Sequence, residues 1–294
     1  MPGNVLISPA DLTALIASEK TVIFDTRDPA SYAAGHIPGA VNLHDIFTYL
    51  ATSTPEGMAE LTSKFAAAFG AAGLSGAETA VIYEQSMASG FGQSCRGYFL
   101  LQALGYSKAK VLHGGMAAWM AAGKPTSTAV PSTVARIFPT QPAAAVLIAD
   151  KTDMKAAIDD PAIIKLDVRD VDEWVGTSSS PYGPDFCPRK GRLPNARWLE
   201  WYRMMKPTAG GQMFKSPTEI LAECATVGIT PDTPVVLYCF KWARASNTFV
   251  ALKEAGIKNV SIYFGSWNEW SRDMSLPIDE GIPSAFKSAI KSAA

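Results

Sequence analysis

The sequence is poor in charge, and the charge that it has is nearly balanced. Charged residues make up 18% of its 294 residues, and the formal net charge is -1. No overall field therefore attracts the chain to nucleic acid or to an anionic membrane. It also lacks any apolar run near the ~20 residues that span a bilayer, and its N-terminus lacks the basic and apolar segments of a secretion signal. We therefore expect no nucleic-acid or membrane partner and a cytoplasmic location, or a periplasmic one if a signal peptide has been removed.

Cysteine and histidine are also scarce. The four cysteines are too few and too scattered for a disulfide framework, and none forms a Cys-x-x-Cys pair. With only three histidines, a structural zinc site is not expected. We predict a protein that uses no metal and no organic cofactor. The residues concerned are Cys95, Cys187, Cys224, Cys239, His36, His44 and His113.

What the sequence does contain is an internal repeat of strands alternating with helices, a pattern that predicts parallel sheets covered on both faces. The motif Asp25-Thr-Arg-Asp returns as Asp167-Val-Arg-Asp, and Gly-His-Ile-Pro-Gly-Ala returns as Gly-Arg-Leu-Pro-Asn-Ala. The segments AVIYE and GGMAAW return as VVLYC and GSWNEW. We therefore predict two copies of one α/β unit. The expected boundaries are 1–125 for the first domain, 126–145 for a proline-rich linker and 146–294 for the second domain.

The chemistry is expected at Cys239, which follows the buried strand pattern PVVLY and precedes a helix that begins near Arg244. A buried cysteine is often only a small core residue. Here, however, loop amides and a helix N-terminus would face the thiol and favour its thiolate. Lys241 and Arg244 add positive charge in the same turn, which suits an anionic substrate as well.

These motifs resemble the rhodanese family, the two-domain thiosulfate and 3-mercaptopyruvate sulfurtransferases. The matching elements are the duplicated Asp-x-Arg-Asp and Gly-x-x-Pro-x-Ala motifs, the loop CFKWAR and the late GSWNEW, which together span almost the whole chain. The resemblance implies two five-stranded parallel sheets with helices on both faces, and an active site between the domains, on the second. It also implies a persulfide on Cys239.

In this interpretation the Cys239 thiolate takes a sulfur atom from thiosulfate and passes it to cyanide, a cellular thiol or a protein acceptor. Backbone amides of the loop would hold the persulfide. We expect the substrate-binding residues to be Phe240, Lys241, Trp242, Ala243 and Arg244.

The first copy is expected to be catalytically inactive. When Tyr83 is aligned with Tyr238, Glu84 occupies the position of Cys239, and a carboxylate cannot form a persulfide. The first domain would then provide structure and one wall of the cleft.

Four further residues are expected to support the site. Asp167 and Arg169 recur in the inactive copy, so we expect an ion pair or a loop-bracing hydrogen bond rather than direct catalysis. Arg189 and Arg192, with Lys190, form a basic segment that would attract anions to the rim of the site or simply be a solvated face.

The choice of substrate rests on departures from the family pattern. Mercaptopyruvate-specific members resemble one another in a small neutral loop and a second arginine, where this chain has Phe240, Lys241 and Glu173. These differences favour thiosulfate, with mercaptopyruvate as the alternative. Trp242 replaces a frequent glycine and would either narrow the pocket or form a wall of the cleft. A persulfide carrier and a cysteine phosphatase are alternatives of another class, although phosphatases of this fold use Cys-x5-Arg and this loop is Cys-x4-Arg.

Overall fold

The fold was analysed in a computed structural model that describes residues 5–50, 52–141 and 147–283. It contains two five-stranded sheets in which every strand pair is parallel. The two-copy prediction and the predicted fold class are therefore confirmed. The C-terminal part of the second predicted domain and residues 142–146, which include the expected start of that domain, lie outside the described residues.

The first sheet has the strand order β1-β5-β4-β2-β3. Its elements are β1 (Leu6–Ile7), α1 (Pro9–Ser18), β2 (Thr21–Asp25), α2 (Pro29–Ala34), β3 (Val41–Asn42), α3 (Asp45–Thr48), α4 (Pro55–Ala71), β4 (Thr79–Tyr83), α5 (Gln93–Ala103), β5 (Ala109–Leu112) and α6 (Gly115–Ala121).

The second sheet repeats this order as β6-β12-β11-β7-β8. Its elements, with a 3-10 helix at Trp201–Met204 and a hairpin formed by β9 and β10, are β6 (Ile148–Ala149), α7 (Lys151–Asp159), β7 (Ile164–Asp167), α8 (Val171–Trp174), β8 (Arg197–Trp198), β9 (Met205–Thr208), β10 (Gly211–Phe214), α9 (Pro217–Ala225), β11 (Val235–Tyr238), α10 (Ala243–Glu254), β12 (Val260–Tyr263) and α11 (Ser266–Trp270).

Alternation of side chains along the central strands explains why each sheet carries helices on both faces. In β4, Val81 belongs to a core shared with α1 and α6, whereas Ile82 belongs to a core shared with α4 and α5. The second sheet divides in the same way. Val236 faces α7 and α11, and Leu237 faces α9 and α10.

The inner cores of the two halves are continuous. Phe99 on α5 packs edge to face against Phe249 on α10, with 5.1 Å between ring centroids, and the two helices belong to one buried cluster. The helices approach most closely at their first turns. A Cβ atom on Gly92 would lie 2.6 Å from the carbonyl oxygen of Ala243, so a side chain there would collide with α10.

Two further segments connect the halves. The part of the predicted linker that is described, residues 126–141, lies along the first half, where Phe138 packs against Phe69 and Tyr106. The hairpin of β9 and β10 reaches back to the first half, where the Phe214 amide donates to Nε2 of His113. Within the described ranges, no helix has both the length and the apolar character needed to cross a membrane.

Candidate active site

The site is built at the carboxyl end of β11, the central strand of the second sheet. Tyr238 ends this strand opposite Asp167 on β7, and Cys239 follows directly. The Cys239 carbonyl accepts a hydrogen bond from the Trp267 amide at 2.9 Å, and its own amide donates to the Ser266 hydroxyl at 3.4 Å. The turn between β12 and α11 therefore fixes the backbone from which the thiol projects.

The loop after Cys239 turns sharply into α10. Trp242 has the left-handed φ of 64°, and no side chain caps the first turn of the helix. The amides of Phe240, Lys241 and Trp242 donate no hydrogen bond to any other described residue. A left-handed turn at a helix start leaves such amides available for an anion, which is the environment that a thiolate or persulfide requires.

A cavity of about 460 Å³ opens next to this loop, between the two halves. The Cys239 side chain forms part of its wall although the residue is only 1% exposed. The cavity is lined by Phe47, Ser89, Phe91 and Gln93 from the first half and by Asp170, Pro181, Tyr182, Cys239, Phe240, Lys241, Ala243 and Arg244 from the second.

Lys241 lines this cavity without a carboxylate partner among the described residues. Its ammonium group lies 4.8 Å from the ring centroid of Phe47 and 5.4 Å from that of Tyr182. Burial, together with the like charge of Arg96, lowers the pKa of Lys241 to about 8, while the charge of Cys239 opposes the shift. Lys241 is thus a cation available to an anionic ligand near neutral pH.

Arg244 also lines the cavity, but its charge is already matched. Its guanidinium contacts Glu173 at 2.5 and 3.1 Å and Asp170 at 3.1 Å. Burial alone would lower the pKa of Arg244, but the attraction of Glu173 raises it above its ordinary value. Asp170, Asp172 and Glu173 form an acidic group in which one carboxylate oxygen from each residue lies within 4.8 Å of the other two. The Arg244 guanidinium is already paired with two of these residues, Asp170 and Glu173.

Asp167 and Arg169 lie beneath the loop as a fully buried ion pair at 2.6 Å. The Tyr238 hydroxyl donates to Asp167 at 2.7 Å, and the Arg169 guanidinium also donates to the Gly191 carbonyl at 2.8 Å. Asp25, Arg27 and Tyr83 reproduce this arrangement in the first half. The motif therefore braces both copies in the same way, as its recurrence suggested.

The structure does not place Arg189 and Arg192 in a cationic rim around the site. The Arg189 guanidinium donates to four backbone carbonyls, those of Trp270, Ser271, Asp273 and Leu276. Arg192 is buried and donates to the carbonyls of Trp174 and Gly281. Neither side chain lines the cavity, because each is used to hold neighbouring loops of the second half together.

The expectation for Trp242 is also wrong, because its side chain neither narrows the cavity nor forms a wall of it. The indole is fully buried between the halves, 4.5 Å from Phe264 by ring centroids and stacked under the guanidinium of Arg96 at 3.6 Å. Phe240 and Ala243, by contrast, line the cavity.

The sequence analysis missed Arg96, which the first half contributes to the surroundings of the loop. Its fully buried guanidinium donates to the carbonyls of Phe47 and Tyr49 and has no carboxylate partner among the described residues. Burial lowers the pKa of Arg96 to about 9, and the charge of Cys239 opposes this shift. An arginine inside the otherwise mostly apolar helix SCRGYFLLQA was the only signal in the sequence.

Glu84 occupies the position of Cys239 in the first half, and it is completely buried. The Ser94 amide donates to its carboxylate at 3.1 Å, and the Glu84 carbonyl accepts from the Met116 amide, as the Cys239 carbonyl accepts from Trp267. Burial raises the pKa of Glu84 to about 8. Glu84 does not line the cavity.

The fold and site define a class of tandem α/β protein in which one copy presents a thiol, at a strand end, to a cavity between the copies. Within that class the chain belongs to the rhodanese family. The family model of the rhodanese-like domain matches it twice, at residues 8–122 and 150–273.

Known relatives agree with this assignment over nearly the whole chain. A thiosulfate sulfurtransferase of Azotobacter vinelandii is 28% identical over 277 residues, covering 94% of this chain and 97% of that protein. A putative thiosulfate sulfurtransferase, SseA, of Mycobacterium leprae is 31% identical over 273 residues, covering 91% and 86%. The wild-type structure of EanB superposes with a TM-score of 0.80 at 25% identity, covering 95% of this chain and 69% of that one. The chain is thus a sulfurtransferase of the rhodanese family.

Proposed function

We propose that the protein is a thiosulfate sulfurtransferase that carries sulfur as a persulfide on Cys239. The observation that carries the proposal is the joint presence, in one cavity, of the Cys239 thiol, the loop amides and the Lys241 cation. Among the described residues, Phe240, Lys241 and Trp242 find no acceptor for their amides, and the Lys241 ammonium has no carboxylate partner. A doubly charged donor such as thiosulfate fits this positive environment better than a mercaptopyruvate anion does. The names of the relatives from Azotobacter vinelandii and Mycobacterium leprae support the same donor.

In the first half-reaction the Cys239 thiolate attacks the outer sulfur of thiosulfate. A bond forms between Sγ and that sulfur, the sulfur–sulfur bond of the donor breaks, and its electron pair leaves with sulfite. Lys241 would hold the sulfonate oxygens and stabilise the departing sulfite, and the amides of residues 240–244 would hold the persulfide.

In the second half-reaction a nucleophilic acceptor attacks the terminal sulfur, and the electron pair of the persulfide bond returns to Cys239 as a thiolate. The roles of the remaining residues follow from their contacts. Arg244 and Glu173 would shape the wall of the cavity as an ion pair, with Arg244 contributing less free charge than Lys241. Asp167 and Arg169 would act only through the loop that they brace.

The test compares the native protein with Cys239→Ser, measuring sulfite and thiocyanate produced from thiosulfate and cyanide. We expect turnover in the native protein and none in the variant, because a hydroxyl cannot accept the sulfur atom. Cys224→Ala is a matched control, since this cysteine is buried on α9 and does not line the cavity.

Parallel assays with 3-mercaptopyruvate and a phosphomonoester distinguish the proposed function from a mercaptopyruvate sulfurtransferase, a phosphatase and a persulfide carrier. Faster turnover with mercaptopyruvate would overturn the choice of donor while keeping the nucleophile. Phosphate release lost in Cys239→Ser would instead indicate a phosphatase. A persulfide that forms but is discharged by none of the small acceptors would indicate a carrier.

A further inference from the structure

Aromatic side chains from both halves surround the opening of the cavity. We call Phe47, Phe91, Tyr182 and Phe240 the aromatic mouth; all four line the cavity. Phe91 and Tyr182 remain 48% and 49% exposed. Aromatic rings that stay this exposed beside one cavity indicate a surface that binds something.

The aromatic surface extends beyond the lining of the cavity. Phe186 packs against Tyr182 and Phe240, and Tyr202 packs against Trp201, which in turn contacts Phe91. Within the described ranges, every exposed large aromatic residue belongs to one of these two groups, namely Phe91, Tyr182, Phe186 and Tyr202. Exposed apolar surface elsewhere consists of aliphatic side chains and methionines.

The size of the cavity exceeds what the donor and cyanide require. Cavities of roughly 300–1,000 Å³ hold organic ligands of many atoms, and this one has about 460 Å³. Thiosulfate and cyanide are small polar anions that gain nothing from contact with phenyl rings. The loop amides and Lys241 are sufficient to bind both anions. The aromatic mouth therefore has no role in either half-reaction of the thiosulfate–cyanide assay.

We propose that the aromatic mouth binds the sulfur acceptor, and that this acceptor is an organic thiol with an aromatic or similarly flat apolar body. The inference rests on the proposed function, because it places the acceptor of a Cys239 persulfide. The thiolate of the acceptor attacks the terminal sulfur, a new sulfur–sulfur bond forms, and the bond to Sγ breaks. Cys239 leaves as a thiolate, and the acceptor departs as an organic persulfide, so no external oxidant or reductant is consumed.

The charges around the mouth add a preference among such thiols. The ammonium of Lys241 already lies against the rings of Phe47 and Tyr182, so a cationic acceptor would meet a like charge there. A neutral or anionic thiol would meet the aromatic faces and the ammonium together. The acceptor class is therefore an apolar thiol without positive charge.

The experiment measures discharge of the preformed Cys239 persulfide by benzyl mercaptan, 2-mercaptoethanol and cyanide at matched concentrations of the nucleophilic anion. The persulfide is loaded with thiosulfate, or with inorganic polysulfide if thiosulfate fails. Failure of the proposed donor is thus recorded separately from failure of the acceptor site. We expect benzyl mercaptan to discharge the native persulfide about tenfold faster than 2-mercaptoethanol, because contact with two or more aromatic rings would strengthen its binding by about that factor.

The variants Phe91→Ala and Tyr182→Ala test whether the aromatic mouth causes the faster discharge by benzyl mercaptan. Each should lower the rate with benzyl mercaptan about threefold to tenfold while leaving the rate with cyanide within about twofold. Met120→Ala, which removes an exposed side chain outside the cavity, should change neither rate. Equal rates for the two thiols would overturn the proposal, as would variants that slow every acceptor alike. Discharge by a cysteine-bearing protein but by no small thiol would also overturn it, in favour of a protein-docking surface.

Discussion

Lys241 is the residue whose charge is expected to control binding of the donor. Its ammonium has no carboxylate partner among the described residues, and its pKa is lowered to about 8, first by burial. The group is therefore charged below that pH and loses its charge as the pH rises through about 8. We expect KM for thiosulfate to increase between about pH 7 and 9 as this charge is lost.

The variants of Lys241 separate its charge from its bulk. Lys241→Met should raise KM for thiosulfate about tenfold at pH 7, as expected for loss of one charge-assisted contact, and should abolish the rise at alkaline pH. Lys241→Arg, which keeps its charge throughout this range, should also lack the alkaline rise while retaining a low KM. An unchanged alkaline rise in Lys241→Met would assign the effect to another group.

Arg96 is expected to increase the reactivity of Cys239 from the other side of the domain interface. A buried guanidinium with no carboxylate partner in the described chain is costly, and Cys239 and Tyr182 are the groups whose negative charge would stabilise it. We expect Arg96→Met to slow alkylation of Cys239 by iodoacetamide about threefold to tenfold at pH 7, because the variant removes a buried positive charge close to the sulfur.

Two variants test whether the charge or a distorted loop is responsible. Arg96→Lys should retain most of the rate. Arg136→Met, which removes an exposed charge from the described part of the linker, should leave the rate unchanged.

At the scale of elements, the turn from β11 into α10 depends on the direction of the Trp242 indole. The indole fills the interface between the halves, where it packs against Arg96 and Phe264, and it does not line the cavity. Trp242→Gly would relieve the left-handed backbone by about 1 kcal/mol, but it would remove a side chain whose loss from a core costs about 3–5 kcal/mol. We expect a net loss of roughly 2–4 kcal/mol in the free energy of unfolding, and lower sulfurtransferase activity.

Urea unfolding and the thiosulfate–cyanide assay measure the two effects. Trp242→Phe keeps an aromatic ring in the interface and should lose less of both stability and activity. Higher activity in Trp242→Gly would contradict the structure, since it would mean that the indole obstructs the cavity.

Elements with strong local signals could be predicted from the sequence, whereas those that depend on long-range packing could not. The apolar run before Cys239 and the Ser8-Pro9 start of α1 define their elements locally. The hairpin of β9 and β10 was missed because its residues are mixed in polarity, although Gly210-Gly211 is a turn signal. Contacts between distant segments determine where the Trp242 indole lies, which carboxylates pair with Arg244 and how Arg96 comes to lie near the loop. No local sequence pattern encodes such contacts.

At the scale of the whole molecule, the two copies have diverged, because Cys239 lines a cavity between the halves and its counterpart Glu84 does not. The helices α5 and α10 pack with their first turns in contact at Gly92 and Ala243. This places Ser89, Phe91 and Gln93 in the wall of the cavity that contains Cys239. The first half therefore contributes to the site through the loop and helix that follow Glu84.

The divergence makes Glu84→Cys an informative variant. The carboxylate is completely buried, packs close to Gly90 and does not line the cavity. A thiol at this position would lie in the same closed environment, where burial disfavours its ionisation. We therefore expect Glu84→Cys to retain one thiosulfate-reactive cysteine per chain, and Glu84→Cys combined with Cys239→Ser to have none. The measurement is the amount of sulfite released in a single turnover, with mass spectrometry to locate the added sulfur. A persulfide on residue 84 would show that the predicted inactivity of the first half depends on the identity of one residue, rather than on the closed surroundings of that residue.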